Sequence, residues 1–350
     1  APMPNPPSSS LLRSEIAGVP VSDLARDFGT PTYVYDKDRI LERIADLRGF
    51  DVIRYAVKAN SNLAILDLCR RQGVLVDTVS AGEMHRAMAV GFLATGDPPP
   101  IVYTADIFDR DSLAVVIEQG IHVNCGSPDM IDQYGERAPG REITLRLNPG
   151  FGHGHSLKTN TGGEKSKHGI WHEDLEECSR RAERHSLCIS GIHAHIGSGA
   201  DLEHLAQVSH AVESYARSVG PSVKMISAGG GLPIPYHPDD PDIDLEGYLR
   251  TWDISRKRLE DDFGHAVRLE IEPGRYLVAE SGYLVTEIRA VKTMGKNTFY
   301  MVDAGFNNLA RPVLYGAYHP MSIVPSEEGV RPEMEVVVGG PLCESGDIFT

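Results

Sequence analysis

Two stretches of this sequence place a charged group where an apolar run ends. In Arg54-Tyr55-Ala56-Val57-Lys58-Ala59-Asn60, a β-leaning run from Val52 closes on a lysine. In Val267 to Glu272, followed by Pro273-Gly274-Arg275, a similar run closes on a glutamate. Ammonium and carboxylate groups are both costly to desolvate without partners. Burial at a strand end favours the uncharged amine of Lys58, which is a nucleophile suited to a Schiff base with a carbonyl compound or with pyridoxal phosphate. A lysine snorkelling at the surface is the alternative. At Glu272 a protonated pyridine nitrogen would satisfy the carboxylate and make that ring an electron sink.

Other residues could serve the same chemistry. His193 and His195 are two apart and share a strand face, where one could lie flat against an aromatic ring. A hydrogen-bonded interior histidine is the plain alternative. A zinc pair is discounted, because no third ligand stands at a convincing spacing. Gly229-Gly230-Gly231 lets backbone N–H groups approach an anion, although most such runs are turns. Gly274 offers a second bare backbone position.

These residues need elements to hold them. Apolar, β-branched runs recur at 52–57, 74–79, 101–104, 121–124, 143–147, 190–196, 223–227 and 267–271. Amphipathic, helix-like segments lie between them, at 63–72, 81–90, 110–119, 129–134, 174–185, 202–219 and 245–262. Alternating strands and helices predict βαβ units, and eight of them predict a parallel (β/α)8 barrel, with a doubly wound open sheet as the alternative. In such a barrel the strands' carboxyl ends carry the chemistry. Those ends hold Lys58, Asp77 with Ser80, Arg146 with Asn148, His193 with His195, Ser198, the triple glycine, and Glu272 through Arg275.

After Arg275 the rhythm changes. Runs at 277–278, 283–293, 298–302 and 333–338 lack intervening helices and predict a small antiparallel β-domain. A helix over 21–28 and a strand over 31–35 precede the barrel, and the strand is expected to join that domain. The expected organisation is 1–37 as a segment joining the β-domain, 38–275 as the barrel, and 276–350 as the β-domain. The domain is expected to continue beyond Thr350. Residues 1–10 are rich in Pro, Ser and Asn and are expected to be disordered, and the missing initial Met hints at processing. The Gly-rich stretch from Gly150 to Trp171 reads as a mobile lid, with His153, His155, His168 and His172 solvated rather than ligating.

Composition narrows the class. Lys and Arg number 34 against 49 Asp and Glu, a net charge of −15, which disfavours a nucleic-acid partner. No run is long and apolar enough to predict a membrane span. The five cysteines form no CxxC pair, which fits a reduced, cytoplasmic compartment.

The ordered motifs Tyr55-Ala56-Val57-Lys58-Ala59-Asn60, His195-Ile196-Gly197-Ser198-Gly199, Gly229-Gly230-Gly231-Leu232, Glu272-Pro273-Gly274-Arg275 and Cys343-Glu344-Ser345-Gly346-Asp347 resemble those of the fold-type III pyridoxal-phosphate decarboxylases. The stretch from Gly150 to Trp171 and Gly305-Phe306-Asn307, Arg311-Pro312 and Tyr315-Gly316 are similar to the branch of that family acting on meso-diaminopimelate. The resemblance implies a pyridoxal-phosphate-binding barrel with a C-terminal β-domain, like that of alanine racemase, and a lysine-forming decarboxylation. It implies that Lys58 holds the cofactor, His195 stacks on its ring and Glu272 pairs with its nitrogen. Asp77 and Arg146 would lie around the lysine and ring, and Ser198, Gly230, Gly231, Gly274 and Arg275 around the phosphate. Arg275, Arg311 and Tyr315 would bind the distal end of the substrate, with Glu344 near its amine. Cys343 would donate a proton, reaching in from the second subunit of a homodimer with shared sites. Two arginines at the substrate argue for a distal carboxylate. A decarboxylase of D-ornithine or D-lysine, a racemase, and a non-catalytic regulatory homologue are the rivals. Pro233 departs from the family pattern, which often has a glycine there, and removes one backbone donor.

Overall fold

The computed structural model describes residues 12–151, 162–195, 197, 202–237, 239–325 and 333–350. The chain divides into two units. One contains residues 41–234 and 243–279, and the other contains 1–40, 235–242 and 280–350.

The first unit is a closed parallel barrel. Its strands are β1 (Val52–Ala56), β2 (Leu75–Thr78), β3 (Ile101–Ala105), β4 (His122–Cys125), β5 (Glu142–Asn148), β6 (Cys188–Ala194), β7 (Met225–Ser227) and β8 (Arg268–Ile271). Each pairs in parallel with the next, and β8 returns to β1 through Glu270↔Val52 and Ile271↔Ile53. Ile170–Trp171 adds a short parallel strand beside the end of β5. The strands form because their Val, Ile and Leu residues fit a pleated surface buried on both faces. Between them run helices Leu63–Arg71, Ala81–Ala89, Arg110–Gln119, Pro128–Gly135, Leu175–Arg184, Leu202–Val219 and Leu245–Phe263. Four of the starts are set by side chains: Asn62, Ser80, Asp109 and Asp244 each accept a backbone N–H in the first turn. Leu63–Arg71 turns Ile65, Leu66 and Cys69 inward, the 3.6-residue spacing that made the segment legible.

The barrel interior is not wholly apolar. Arg54 of β1 and Glu270 of β8 are each 1% exposed and pair at 2.9 Å. Arg54 Nη1 also donates to the Pro99 carbonyl at 2.6 Å, and Arg268 Nε donates to the other Glu270 oxygen at 2.8 Å.

In the second unit Thr32–Tyr35 pairs antiparallel with Gly282–Val285. Helix Val21–Phe28 packs nearby, where Ile16, Val21 and Val285 form a small core. Ile288–Met294 and Asn297–Val302 form a hairpin, and Val337–Gly339 adds a third strand in parallel. Three expectations need correction. Leu277–Val278 is not a strand but part of the helix Arg275–Val278, because a short buried apolar run fits either element. The run at 283–293 is two strands in two sheets. Asp303 breaks it by accepting the Thr286 hydroxyl and the Glu287 N–H, at 2.5 and 2.9 Å. The last strand is shorter than 333–338 and pairs in parallel rather than antiparallel. Among the described residues no helix is long and apolar enough to cross a membrane.

Candidate active site

The end of β1 turns into a 3-10 segment, Val57–Ala59, which presents Lys58. Tyr55 shapes this exit by donating its hydroxyl to the Asn60 carbonyl at 2.9 Å. Lys58 is exposed, so the burial expected of it is absent. Its setting is instead electrostatic: the Lys58 charge pulls down the pKa of Asp77, Glu83 and His195, which puts the amine among them.

Asp77, at the end of β2, is 4% exposed. Burial and the neighbouring Glu272 push its carboxyl up to about 7, against the pull of Lys58 and a Thr104 hydrogen bond. Its Oδ1 has no partner among the described residues. Thr104 is itself held by Asn124 Nδ2 at 2.7 Å.

Glu272 follows β8 and is likewise buried. It is not unpaired, as its sequence context implied. His193 Nε2 lies 2.7 Å from Oε2, and the Ser227 hydroxyl donates to Oε1 at 3.0 Å. Burial opposes ionisation of Glu272, but His193, Arg54 and the Ser227 hydroxyl together bring its pKa down to about 2. Each carboxylate oxygen retains a further lone pair, so Glu272 can still accept a ring N–H. Two buried carboxyls thus stand apart: one held ionised, the other pushed towards its protonated form.

His195 sits just past β6. Burial, Lys58 and Arg146 drive its pKa well below the usual histidine range. Its Nδ1 receives the Gly230 N–H at 3.3 Å, which fixes the ring and leaves Nδ1 as an acceptor. Gly229 and Gly231 have φ values of 63° and 97°, which side chains rarely adopt. A Cβ at Gly231 would strike the Gly197 carbonyl, and one at Gly230 would lie 2.5 Å from the Glu272 carbonyl. At Gly274 a Cβ would lie 3.2 Å from the Cβ atoms of Ala56 and Ala59, so the glycine lets the β8 exit pack on the Lys58 turn. Arg275 opens the next helix and is half-buried. Arg146 is buried on β5, level with His193. Ser198, His153 and His155 lie outside the described residues, as do residues 152–161 of the expected lid. Gly150 and Gly163 are both held by Asn148, whose Oδ1 accepts their N–H groups at 3.1 and 2.8 Å. His168 is not simply solvated, since its Nδ1 pairs with Asp106 at 2.7 Å.

The barrel unit therefore brings together Lys58, Asp77, Arg146, His195, Gly230, Gly231, Glu272, Gly274 and Arg275 at the carboxyl ends of its strands. These residues fit pyridoxal phosphate. An amine is available for the aldehyde, a buried ionised carboxylate with spare lone pairs for the ring nitrogen, and a side-chain-free glycine turn for the phosphate. The unpartnered Asp77 Oδ1 offers a further polar contact.

The second unit holds the remaining residues. Arg311 Nη1 lies 3.1 Å from His319 Nε2, and its guanidinium lies 4.9 Å from the centre of the Tyr236 ring. Tyr315 lies one helical turn on and is 43% exposed. Cys343 and Glu344 are exposed on a turn organised by buried Asp347, which accepts the N–H groups of Phe306 and Leu342 at 2.6 and 2.8 Å. The final aspartate of that motif is thus an architectural residue. Sequence reasoning did not single out Ser227, Tyr236, Asp106 or His319, and named His193 without its task. Only His193 carried a signal, through its shared face with His195.

A model of the pyridoxal-dependent decarboxylase pyridoxal-binding domain matches residues 39–279, the span of the barrel. A diaminopimelate decarboxylase of Streptomyces coelicolor is 51% identical over 352 residues, covering 99% of this chain and 80% of that protein. One of Escherichia coli strain K12 is 51% identical over 330 residues, covering 93% of this chain and 79% of its own. Among solved structures, a diaminopimelate decarboxylase superposes with a TM-score of 0.89 at 48% identity, covering 97% of this chain and 82% of that one. The Helicobacter pylori enzyme complexed with L-lysine gives a TM-score of 0.84 at 30% identity, covering 94% of this chain and 83% of its own. With its strand-end lysine and glutamate held as described, this chain belongs to the pyridoxal-dependent decarboxylases.

Proposed function

We propose that this protein decarboxylates meso-2,6-diaminopimelate at its D-centre, giving L-lysine and CO2. The observation that carries the reading is the 51% identity to diaminopimelate decarboxylases across 99% of the chain. Lys58 would hold the cofactor's aldehyde carbon and Glu272 its ring nitrogen, while His195 would stack on the ring. Asp77 and Arg146 would lie around it. Ser198, Gly230, Gly231, Gly274 and Arg275 would surround the phosphate. Bound there, pyridoxal phosphate supplies the sink for the electron pair left when CO2 departs.

The chain's own groups do the rest. Arg275 and Arg311 bind carboxylate, Arg311 being pre-set by His319 and Tyr236. Tyr315 adds a hydroxyl at the distal end, and Glu344 pairs with the distal amine. Cys343 Sγ carries the proton that goes to carbon, a task open to an exposed thiol. We assign Cys343 to a partner's site in a homodimer working in the cytoplasm. The test is CO2 release from meso-diaminopimelate, D-lysine and D-ornithine, with and without added pyridoxal phosphate. Release from meso-diaminopimelate, lost in Lys58→Ala, is the expected result. Turnover of D-ornithine or D-lysine alone would overturn the substrate, and full activity of Lys58→Ala would overturn the chemistry.

A further inference from the structure

The contact between His193 and Glu272 has no assigned task in the scheme above. We propose that His193 is a positioning residue for Glu272, holding its carboxylate where it pairs with the cofactor's ring nitrogen. This inference rests on pyridoxal phosphate binding at the barrel mouth.

Three observations carry it. First, His193 is 1% exposed and its Nε2 meets Glu272 Oε2 at 2.7 Å, short for a neutral hydrogen bond and typical of a charge-assisted one. Second, Ser227 meets the other oxygen at 3.0 Å, so the carboxylate is gripped from both sides and its plane is fixed. His193 and Ser227 are register partners on β6 and β7, and the sheet itself sets the spacing of the grip. Third, His193 Nδ1 is buried without a partner among the described residues. A histidine kept only for packing would be cheaper as an apolar residue, since each buried polar atom left alone costs free energy. Among the described residues the Glu272 contact is the one use of the ring's polarity, and it points at the cofactor's partner.

The charges around the pair are consistent with this role. Arg54 lies on β1, Asp77 on β2, Arg146 on β5 beside His193, and Lys58 beyond β1. Burial next to Asp77 would favour a shared proton between the two carboxyls. His193 breaks that symmetry in favour of an ionised Glu272, which is the state that pairs with a protonated ring nitrogen.

The experiment compares two ligands of the cofactor-free protein: pyridoxal phosphate and its 1-deaza analogue, in which CH replaces the ring nitrogen. The ratio of their dissociation constants reports the Glu272–nitrogen contact, whatever the activity. In the native protein pyridoxal phosphate should bind more tightly. In His193→Leu the preference should shrink about tenfold, as expected for a hydrogen bond to a charged group, while affinity for the analogue stays within about twofold. His193→Gln, which keeps an N–H donor, should recover part of the preference. His193→Asn, too short to reach, carries the leucine expectation if that variant does not fold. Equal loss of affinity for both ligands, or an unchanged preference, overturns the positioning role. A native protein that binds neither ligand overturns the cofactor reading instead.

Discussion

The Arg54–Glu270 pair lends itself to a quantitative test. Both side chains are 1% exposed, and Arg54 bonds the same Glu270 oxygen through Nε and Nη2 at 3.0 and 2.9 Å. Breaking a buried pair by removing one partner costs about 3–5 kcal/mol, mostly from the charge left behind. The two single variants should not cost the same. In Arg54→Met, Glu270 keeps Arg268 at 2.8 Å, so the loss sits near the lower end, about 3 kcal/mol. In Glu270→Met, the hydrogen bonds left to the Arg54 guanidinium among the described residues are to the carbonyls of Pro99 and Val76, at 2.6 and 3.5 Å. That leaves a buried cation without a directly paired carboxylate, and the loss moves towards about 5 kcal/mol. Replacing both by methionine removes both charges at similar volume and should return stability to within about 1–2 kcal/mol of the native protein. The assay is urea unfolding of the cofactor-free proteins at one concentration, because ligand and oligomer formation shift apparent stability. A double variant no more stable than the worse single one would refute the buried-charge reasoning. So would a loss below about 1 kcal/mol in Glu270→Met, the range of a surface ion pair.

Three further outcomes are expected. Cys343→Ala should lower kcat at least tenfold with little change in KM, and equal effects on both would remove the proton-donor assignment. Asp77 has its pKa raised to about 7, so its contribution to stability is present below about pH 4 and lost as pH rises through 7. Asp77→Asn should therefore gain stability over the native protein as pH increases across that window in parallel unfolding curves, and parallel pH profiles would refute it. Gly231→Ala forces a Cβ onto the Gly197 carbonyl at a φ of 97°, and should weaken pyridoxal phosphate binding at least tenfold by fluorescence titration. Native-like affinity would show that the turn is not held as described.

The barrel was legible because period and length agree. Each run of four to seven β-branched residues was bounded by a helix of amphipathic spacing, and the observed strands fall on those runs. Lys58, Glu272 and the glycines stood out because each breaks a local rule for its element. What burial would do at Lys58 was misjudged, since a strand end facing an open mouth is not a buried position. His193 and Ser227 were opaque in their task for another reason. Their meeting at Glu272 depends on lateral register between β6, β7 and the end of β8, and register is not written in the period of any one strand. Tyr236 meets Arg311 from a distant segment of the chain, and His319 from an irregular stretch eight residues on, with no periodic spacing to announce either.

The division of the chain into units also constrains how it can be made. The backbone passes from one unit to the other four times, after residues 40, 234, 242 and 279. Neither unit is a continuous stretch, so no single cut releases either one intact. Thr32–Tyr35 is synthesised early, but its partner Gly282–Val285 follows about 250 residues later. The first strand must therefore remain unpaired while the whole barrel emerges, which makes an exposed strand edge an unavoidable stage of biosynthesis.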